Sequence, residues 1–280
     1  MRWYIPVVFL AAVALLSFAY LSKLFRNPIF KYERSGGIAG FVEEFTVYDD
    51  GKISYRDLKA GTEMEVDLGE ALLNLMRLLR EELSKAPPVN VKARPGAADF
   101  FAHKLNVAGK DFEWVDEWAA DGELPGYILD FQRLISAVIS DKVKGSFVGY
   151  GVSSHKNDVG LEVGLASYLC RKNEPVNIRI VVRNTGDRDI VYTSPTPCHP
   201  DVLLNSDIEC ELEFVKPRFS NETICVQVID RRQLGAGASV ENLAVITFKD
   251  SGIAHLTVRF PLATFEQEVA VVTVPVFVSD

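Results

Sequence analysis

The first long hydrophobic segment of the chain covers residues 3–21. One proline, one serine and two tyrosines are its only interruptions, and as a helix it is long enough to cross a hydrocarbon core of about 30 Å. A cleaved signal peptide is the alternative, but Arg2 beside the α-amine is a weak positively charged n-region. We therefore predict an uncleaved transmembrane signal-anchor over residues 1–27.

Residues 28–140 contain two pairs of strand-like patterns. A short apolar run over residues 29–32 and an aromatic, β-branched run over residues 41–48 flank a glycine-rich turn, as in a β-hairpin. Residues 101–107 alternate apolar and polar side chains, and a turn at residues 109–110 leads into a further strand. These patterns predict an antiparallel sheet.

Two helical patterns accompany these strands. Asp67 and Glu70 have the spacing of an N-cap and its reciprocal partner, and Pro125 is well placed as the first residue of a later helix. Apolar residues then recur at helical spacing in both segments: Leu68, Leu72, Leu75, Leu79 and Leu83 in the first, Ile128, Phe131 and Ile135 in the second. We expect an α+β domain over residues 28–140, with one sheet covered by two helices.

Residues 141–280 show strand patterns only. Val176, Ile178, Ile180 and Val182 form one of about eight alternating runs, and turn residues separate these runs. The pattern predicts an all-β sandwich. The segment from Glu174 to Asp187 is similar to the openings of immunoglobulin-like modules and, more weakly, to the bacterial intracellular proteinase inhibitor family, which favours an immunoglobulin-like fold.

The turn of the first hairpin has an unusual glycine content, with three glycines in five positions. Glycine reaches positive φ without a Cβ clash and lets another chain approach closely. The turn is therefore either a structural element of the hairpin or a partner-binding loop, formed by Arg34, Ser35, Gly36, Gly37, Ile38, Ala39 and Gly40.

Net charge and cysteine content limit the functions that the chain can have. The formal charge of −8 argues against nucleic-acid binding, which needs clustered Lys and Arg. The four cysteines, Cys170, Cys198, Cys210 and Cys225, form no Cys-x-x-Cys motif and are disulfide candidates in an oxidising compartment, with buried free thiols as the alternative. Four cysteines allow three connectivities, and the sequence does not choose among them.

The membrane orientation rests on two conflicting signals. Lys23, Arg26, Lys31 and Arg34 follow the apolar segment, and the positive-inside rule would place that flank in the cytoplasm. The cysteines and a possible glycosylation sequon at Asn221 favour the opposite side. We predict a single-pass protein of the cell membrane with extracytoplasmic domains.

The order of elements in the first domain resembles a known family. The heptapeptide of residues 34–40 after a short strand, the leucine-rich helix, a strand that starts at Asp99-Phe100 and a closing helix at Pro125 resemble emfourin, the inhibitor of protealysin and related thermolysin-like metallopeptidases. The resemblance covers about residues 29–140. It implies an inhibitor that binds a metallopeptidase. For such an inhibitor we expect occlusion, because a glycine turn without bulky side chains can approach a catalytic cleft closely.

Several enzyme motifs are absent from the sequence, including His-Glu-x-x-His, Gly-x-Ser-x-Gly and the Walker loop. We therefore expect no enzyme activity and no cofactor. His103 lies on an apolar strand face, which is typical of a hydrogen-bonded structural histidine. A structural or adhesive surface protein remains an alternative, as does a metal-binding sandwich that uses Cys198 and His199 together with Cys210 or Cys225.

Overall fold

The computed structural model describes residues 26–146, 148–156, 158–194, 200–215, 230–261 and 270–280. Two compact units are present, Met1–Tyr127 and Ile128–Asp280. None of the helices formed by the described residues is long and apolar enough to span a membrane. Most of the predicted signal-anchor, including its whole apolar segment, lies outside the described residues.

The first unit is built on a six-stranded sheet with the order β4-β3-β2-β1-β5-β6. All neighbouring strands are antiparallel, as the alternating patterns predict. The strands are β1 (Pro28–Gly36), β2 (Phe41–Tyr48), β3 (Lys52–Asp57), β4 (Thr62–Asp67), β5 (Phe101–Val107) and β6 (Lys110–Val115).

Helix α1 (Glu70–Lys85) contacts β1 and β5 and covers one face of this sheet. Its buried residues are Leu72, Leu75, Met76, Leu79 and Leu83, so the leucine stripe is a core face. The predicted capping box is wrong. Gly69 is the N-cap with a φ of 73°, and the Asp67 carboxylate instead accepts hydrogen bonds from Gly69 N–H and from the Lys52 ammonium.

Helix α2 (Gly126–Val138) begins one residue after Pro125, the predicted first residue, and continues into a π-helical turn at Ile139–Val143. Almost all of α2 belongs to the second unit. Two polar contacts connect α2 to strands of that unit: Asp130 Oδ2 lies 3.0 Å from His255 Nε2, and Arg133 Nη1 donates to the carbonyl of Thr273 over 3.0 Å.

Beyond α2 and its π-helical turn, the regular elements in the described segments of the second unit are strands. They form a five-stranded sheet (β13-β15-β10-β8-β7), a four-stranded sheet (β12-β16-β17-β9) and a pair (β11-β14). The strands are β7 (Tyr150–Lys156), β8 (Val159–Leu165), β9 (Leu169–Arg171), β10 (Pro175–Asn184), β11 (Ile190–Ser194), β12 (Leu203–Ser206), β13 (Cys210–Phe214), β14 (Asp230–Leu234), β15 (Ser239–Phe248), β16 (Gly252–Phe260) and β17 (Ala270–Ser279).

This unit has a β-sandwich-like organisation. Strand β17 contacts both β7 and β8 of the other sheet, and the alternating residues Ile178, Ile180 and Val182 are buried as predicted. Strand β9 pairs with β17 in parallel, whereas the other described pairs of the unit are antiparallel. Glu209, Glu211 and Glu213 are exposed, consistent with a solvated face.

Candidate functional site

The glycine-rich turn joins β1 to β2 at one end of the six-stranded sheet. Gly36, Gly37 and Gly40 have φ values of 126°, 69° and 64°. A Cβ atom on Gly36 would lie 2.4 Å from the carbonyl oxygen of Phe100, and the N–H of Gly37 donates to that same oxygen over 3.0 Å. Glycine is therefore required at Gly36 both for the backbone conformation and for the close approach of the chain before β5.

The turn exposes one large side chain on a fixed backbone. Ile38 is 89% exposed, and its N–H donates to the Asp99 carboxylate. The carbonyl of Ala39 accepts a hydrogen bond from the Lys59 ammonium, and a 2.9 Å bond between Gly40 N–H and Gly37 O closes the turn. An apolar side chain is thus held in solvent by contacts from two neighbouring segments.

Three further apolar side chains lie at the same end of the sheet. Phe41 starts β2, Leu58 follows β3, and Trp118 follows β6; their exposed fractions are 39%, 55% and 52%. Among the described residues of the first unit, these three and Ile38 are the large hydrophobic side chains that remain exposed. We call these four residues at one end of the sheet, Ile38, Phe41, Leu58 and Trp118, the apolar tip.

Two basic side chains pack over aromatic rings at the tip end of the sheet. Lys59 Nζ lies 4.8 Å from the centroid of the Phe41 ring, and the Arg34 guanidinium lies 4.8 Å from that of Phe101. Arg34 Nε also donates to Glu43 over 2.9 Å. Arrangements of a cation over an aromatic ring are favourable by about 0.5–1 kcal/mol at exposed sites. Arg34 therefore holds the base of the turn, and its side chain is 29% exposed.

Glu43 is a buried carboxylate that connects the tip to the core. It is 6% exposed and accepts hydrogen bonds from Arg34 and, over 2.7 Å, from the hydroxyl of Tyr55. Burial and the bond to this carboxylate raise the pKa of Tyr55. Because a buried charge needs a partner, Arg34 and Glu43 depend on each other.

His103 forms a second polar cluster beside the turn. Its Nδ1 lies 2.7 Å from the Tyr32 hydroxyl and its Nε2 lies 3.1 Å from Asp116 Oδ1. Burial opposes ionisation of Asp116, but hydrogen bonds from His103 and from the N–H of Phe101 outweigh it and lower the pKa of this carboxyl. With 2% exposure and a stacked Trp114 ring, His103 has the structural environment that the sequence predicts.

The predicted loop of residues 34–40 is only partly a loop: Arg34, Ser35 and Gly36 end strand β1, and residues 37–40 form the turn. The neighbours of this turn were not predicted from the sequence. These neighbours lie in parts of the chain that are distant from the turn: Asp99, Lys59, Leu58 and Trp118. Their apolar or charged character alone indicates no common surface. The only available signal was an apolar residue, Leu58, within a turn-like segment that ends at Gly61.

The remaining predicted sites are partly outside the described residues. Cys170 and Cys210 are free thiols, while Cys198, Cys225 and the sequon at Asn221 fall in segments that the structure does not describe. Burial raises the pKa of the Cys170 thiol to about 11. No group of His, Cys, Asp and Glu within the described part of the chain could hold a metal ion.

Comparison with known proteins gives little further information. No protein-family model matches the chain, and no curated protein matches it. The chain is similar to the crystal structure of the S-layer protein rSbsC(31-844), with 10% sequence identity, a TM-score of 0.23, and coverage of 89% of this chain and 27% of that chain. At this TM-score the similarity supports no inference about the present chain.

Proposed function

We propose that this chain is a membrane-anchored, non-enzymatic binding protein that docks another protein with its apolar tip. In this proposal residues 1–27 are the anchor, residues 28–127 form an emfourin-like domain, and residues 128–280, which include almost all of α2, form an immunoglobulin-like sandwich outside the cytoplasm. The observation that carries the proposal is the 89% exposure of Ile38 on a turn held by Asp99 and Lys59.

The energetics of the tip favour docking. Complete burial of an Ile, Leu or Phe side chain contributes about 1.5–3 kcal/mol, and Ile38, Phe41 and Leu58 are all at least 39% exposed before binding. A turn that is already ordered loses little conformational entropy in a complex, so more of this contribution remains as affinity. Aromatic side chains and an arginine at the base resemble the composition of binding hot spots.

The shape of the tip fits a concave partner. Ile38 projects from a turn of small residues, Gly37, Ala39 and Gly40, so a cleft can approach the exposed part of the backbone closely. The resemblance to emfourin suggests the catalytic cleft of a thermolysin-like metallopeptidase as that partner. Inhibition would then occur by occlusion, with Ile38 filling an apolar pocket and the adjoining turn blocking access of substrate.

A titration of a thermolysin-like peptidase with the purified chain tests this function. We expect stoichiometric loss of peptidase activity, and we expect Ile38→Arg to weaken inhibition at least tenfold because a charge would enter the apolar pocket. Val148→Arg is the matched control, since Val148 is fully exposed in the second unit.

Two results would contradict the proposal. Absence of inhibition at micromolar excess over several such enzymes would exclude the peptidase as partner. Equal inhibition by the wild-type chain and by Ile38→Arg would exclude the tip as the docking surface, and the structural or adhesive role would then be the better interpretation.

A further inference from the structure

The first described residues are fixed to the sheet. Arg26 Nε lies 2.9 Å from Asp50 Oδ2 and Arg26 Nη1 lies 2.7 Å from Glu65 Oε2, and the Arg26 side chain is 16% exposed. The guanidinium is thus bound on two sides. It also lies 5.6 Å from the Tyr48 ring centroid. The carbonyl of Asn27 accepts a 3.1 Å hydrogen bond from the N–H of Asp49. Residues 1–25 therefore join the folded unit at a defined point.

This point and the apolar tip lie at opposite ends of β1. Strand β1 leads from Pro28, which pairs with Tyr48, to Gly36, which pairs with Phe41. Eight steps of about 3.3 Å along a strand give a separation of about 26 Å. The turn 49–51 is at the end where residues 1–25 join, whereas the turns 37–40 and 58–61 are at the tip end.

The charges at the tip favour a protein partner over a lipid surface. Interfacial lipid binding combines apolar side chains with Lys and Arg that face anionic headgroups. At the tip, the ammonium of Lys59 is bound to the Ala39 carbonyl and the guanidinium of Arg34 is paired with Glu43. Both cations are thus used within the fold. The exposed Arg94, whose N–H donates to the carbonyl of Ala119 next to Trp118, is accompanied by the exposed carboxylates of Glu117 and Asp121.

Resting on the proposed function, we infer that the chain presents its apolar tip to the aqueous phase, about 26 Å along β1 from the membrane-attached end. The partner is a water-soluble or peripheral protein with an apolar cleft, and the bilayer that holds residues 3–21 is not the surface that the tip binds. The Arg26 junction places the entry of residues 1–25 at the end of β1 opposite the tip.

Tryptophan quenching in nanodiscs with brominated acyl chains tests this inference on the full chain. The sequence has three tryptophans, and two of them, the buried Trp114 and the half-exposed Trp118, are in the first unit near the tip end of the sheet. Bromine quenches only the tryptophans that contact the acyl chains. We expect the wild-type chain to lose about one third of its emission, from Trp3, and we expect Trp3→Phe to lose none.

Each other outcome has a distinct meaning. Quenching that persists in Trp3→Phe and disappears when Trp118 is also replaced by Phe would overturn the inference, because the tip would then contact lipid. Absence of quenching in both the wild-type chain and Trp3→Phe would refute the anchoring of residues 3–21 and, with it, this inference. Peptidase inhibition is measured separately, so docking can succeed or fail independently of either result.

Discussion

Replacing Gly36 and Gly40 by alanine separates two reasons for glycine in the same turn. At Gly36 the φ is 126° and a Cβ atom would meet the Phe100 carbonyl oxygen at 2.4 Å. At Gly40 the φ is 64°, and no heavy atom lies within 4 Å of the corresponding Cβ position. Gly40→Ala therefore introduces only a backbone cost, whereas Gly36→Ala introduces the same kind of cost and a clash with the main chain.

The expected magnitudes differ by several kcal/mol. An alanine in the left-handed region costs about 1–2 kcal/mol, and the lower entropy of its unfolded chain offsets about 0.4–1 kcal/mol, which leaves about 1 kcal/mol for Gly40→Ala. For Gly36→Ala, the backbone strain of about 1–3 kcal/mol and an overpacking cost of about 1–3 kcal/mol together predict about 3–5 kcal/mol.

Urea unfolding followed by tryptophan emission measures this difference in the first unit alone. Trp114 and Trp118 belong to that unit, and residues 128–280 contain no tryptophan. With a urea dependence of about 1–3 kcal/mol per M, the midpoint of Gly36→Ala should lie about 1 M or more below that of Gly40→Ala. Equal urea midpoints for the two variants would contradict the close approach of residues 99–101 to β1.

Two further predictions concern the second unit. His255 is expected to stabilise it at neutral pH, because the hydrogen bond to Asp130, reinforced by Asp207, raises its pKa from 6.5 to about 9 against the effect of burial. The stability that this histidine adds is complete below pH 6.5 and lost as the pH rises through about 9; since a third of the side chain is exposed, it amounts to about 1–2 kcal/mol. Circular dichroism of urea unfolding should therefore show His255→Gln less stable than wild type at pH 7 and equal to it at pH 10, and a constant difference would contradict the ion pairs. Alkylation with iodoacetamide at pH 8, mapped by mass spectrometry, should modify the half-buried Cys210 well before the buried Cys170, whose pKa is about 11; protection of both until reduction would instead indicate disulfides.

The elements that the sequence predicts correctly are those with a strong period. The leucines from Leu72 to Leu83 repeat at helical spacing and form the buried face of α1, and the strict alternation from Ile178 to Val182 places these residues in the core. Burial of apolar side chains is the dominant favourable term in folding, so a pattern that sorts apolar from polar positions determines which face is inside.

Other features depend on contacts between distant segments, which leave no local pattern. Asp67 is a residue type that is common at N-caps, yet its carboxylate accepts hydrogen bonds from Gly69 N–H and from Lys52. Lys52 is within reach because β4 pairs with β3 and places it opposite Asp67. The three-residue strand β9 pairs in parallel with β17, more than 100 residues later. The tip likewise forms only because the order β3-β2-β1-β5-β6 places the ends of these strands side by side.

The structure also separates the two interpretations of the glycine turn, folding and binding, residue by residue. The glycine at Gly36 is explained by the fold, because any side chain there would collide with Phe100. The isoleucine at Ile38 has no such explanation, since at 89% exposure its replacement should change stability by no more than about 0.5 kcal/mol. A large loss of docking in Ile38→Arg with an unchanged urea midpoint would therefore assign to Ile38 a role in binding and none in folding, whereas a lowered midpoint would show that Ile38 contributes to the fold.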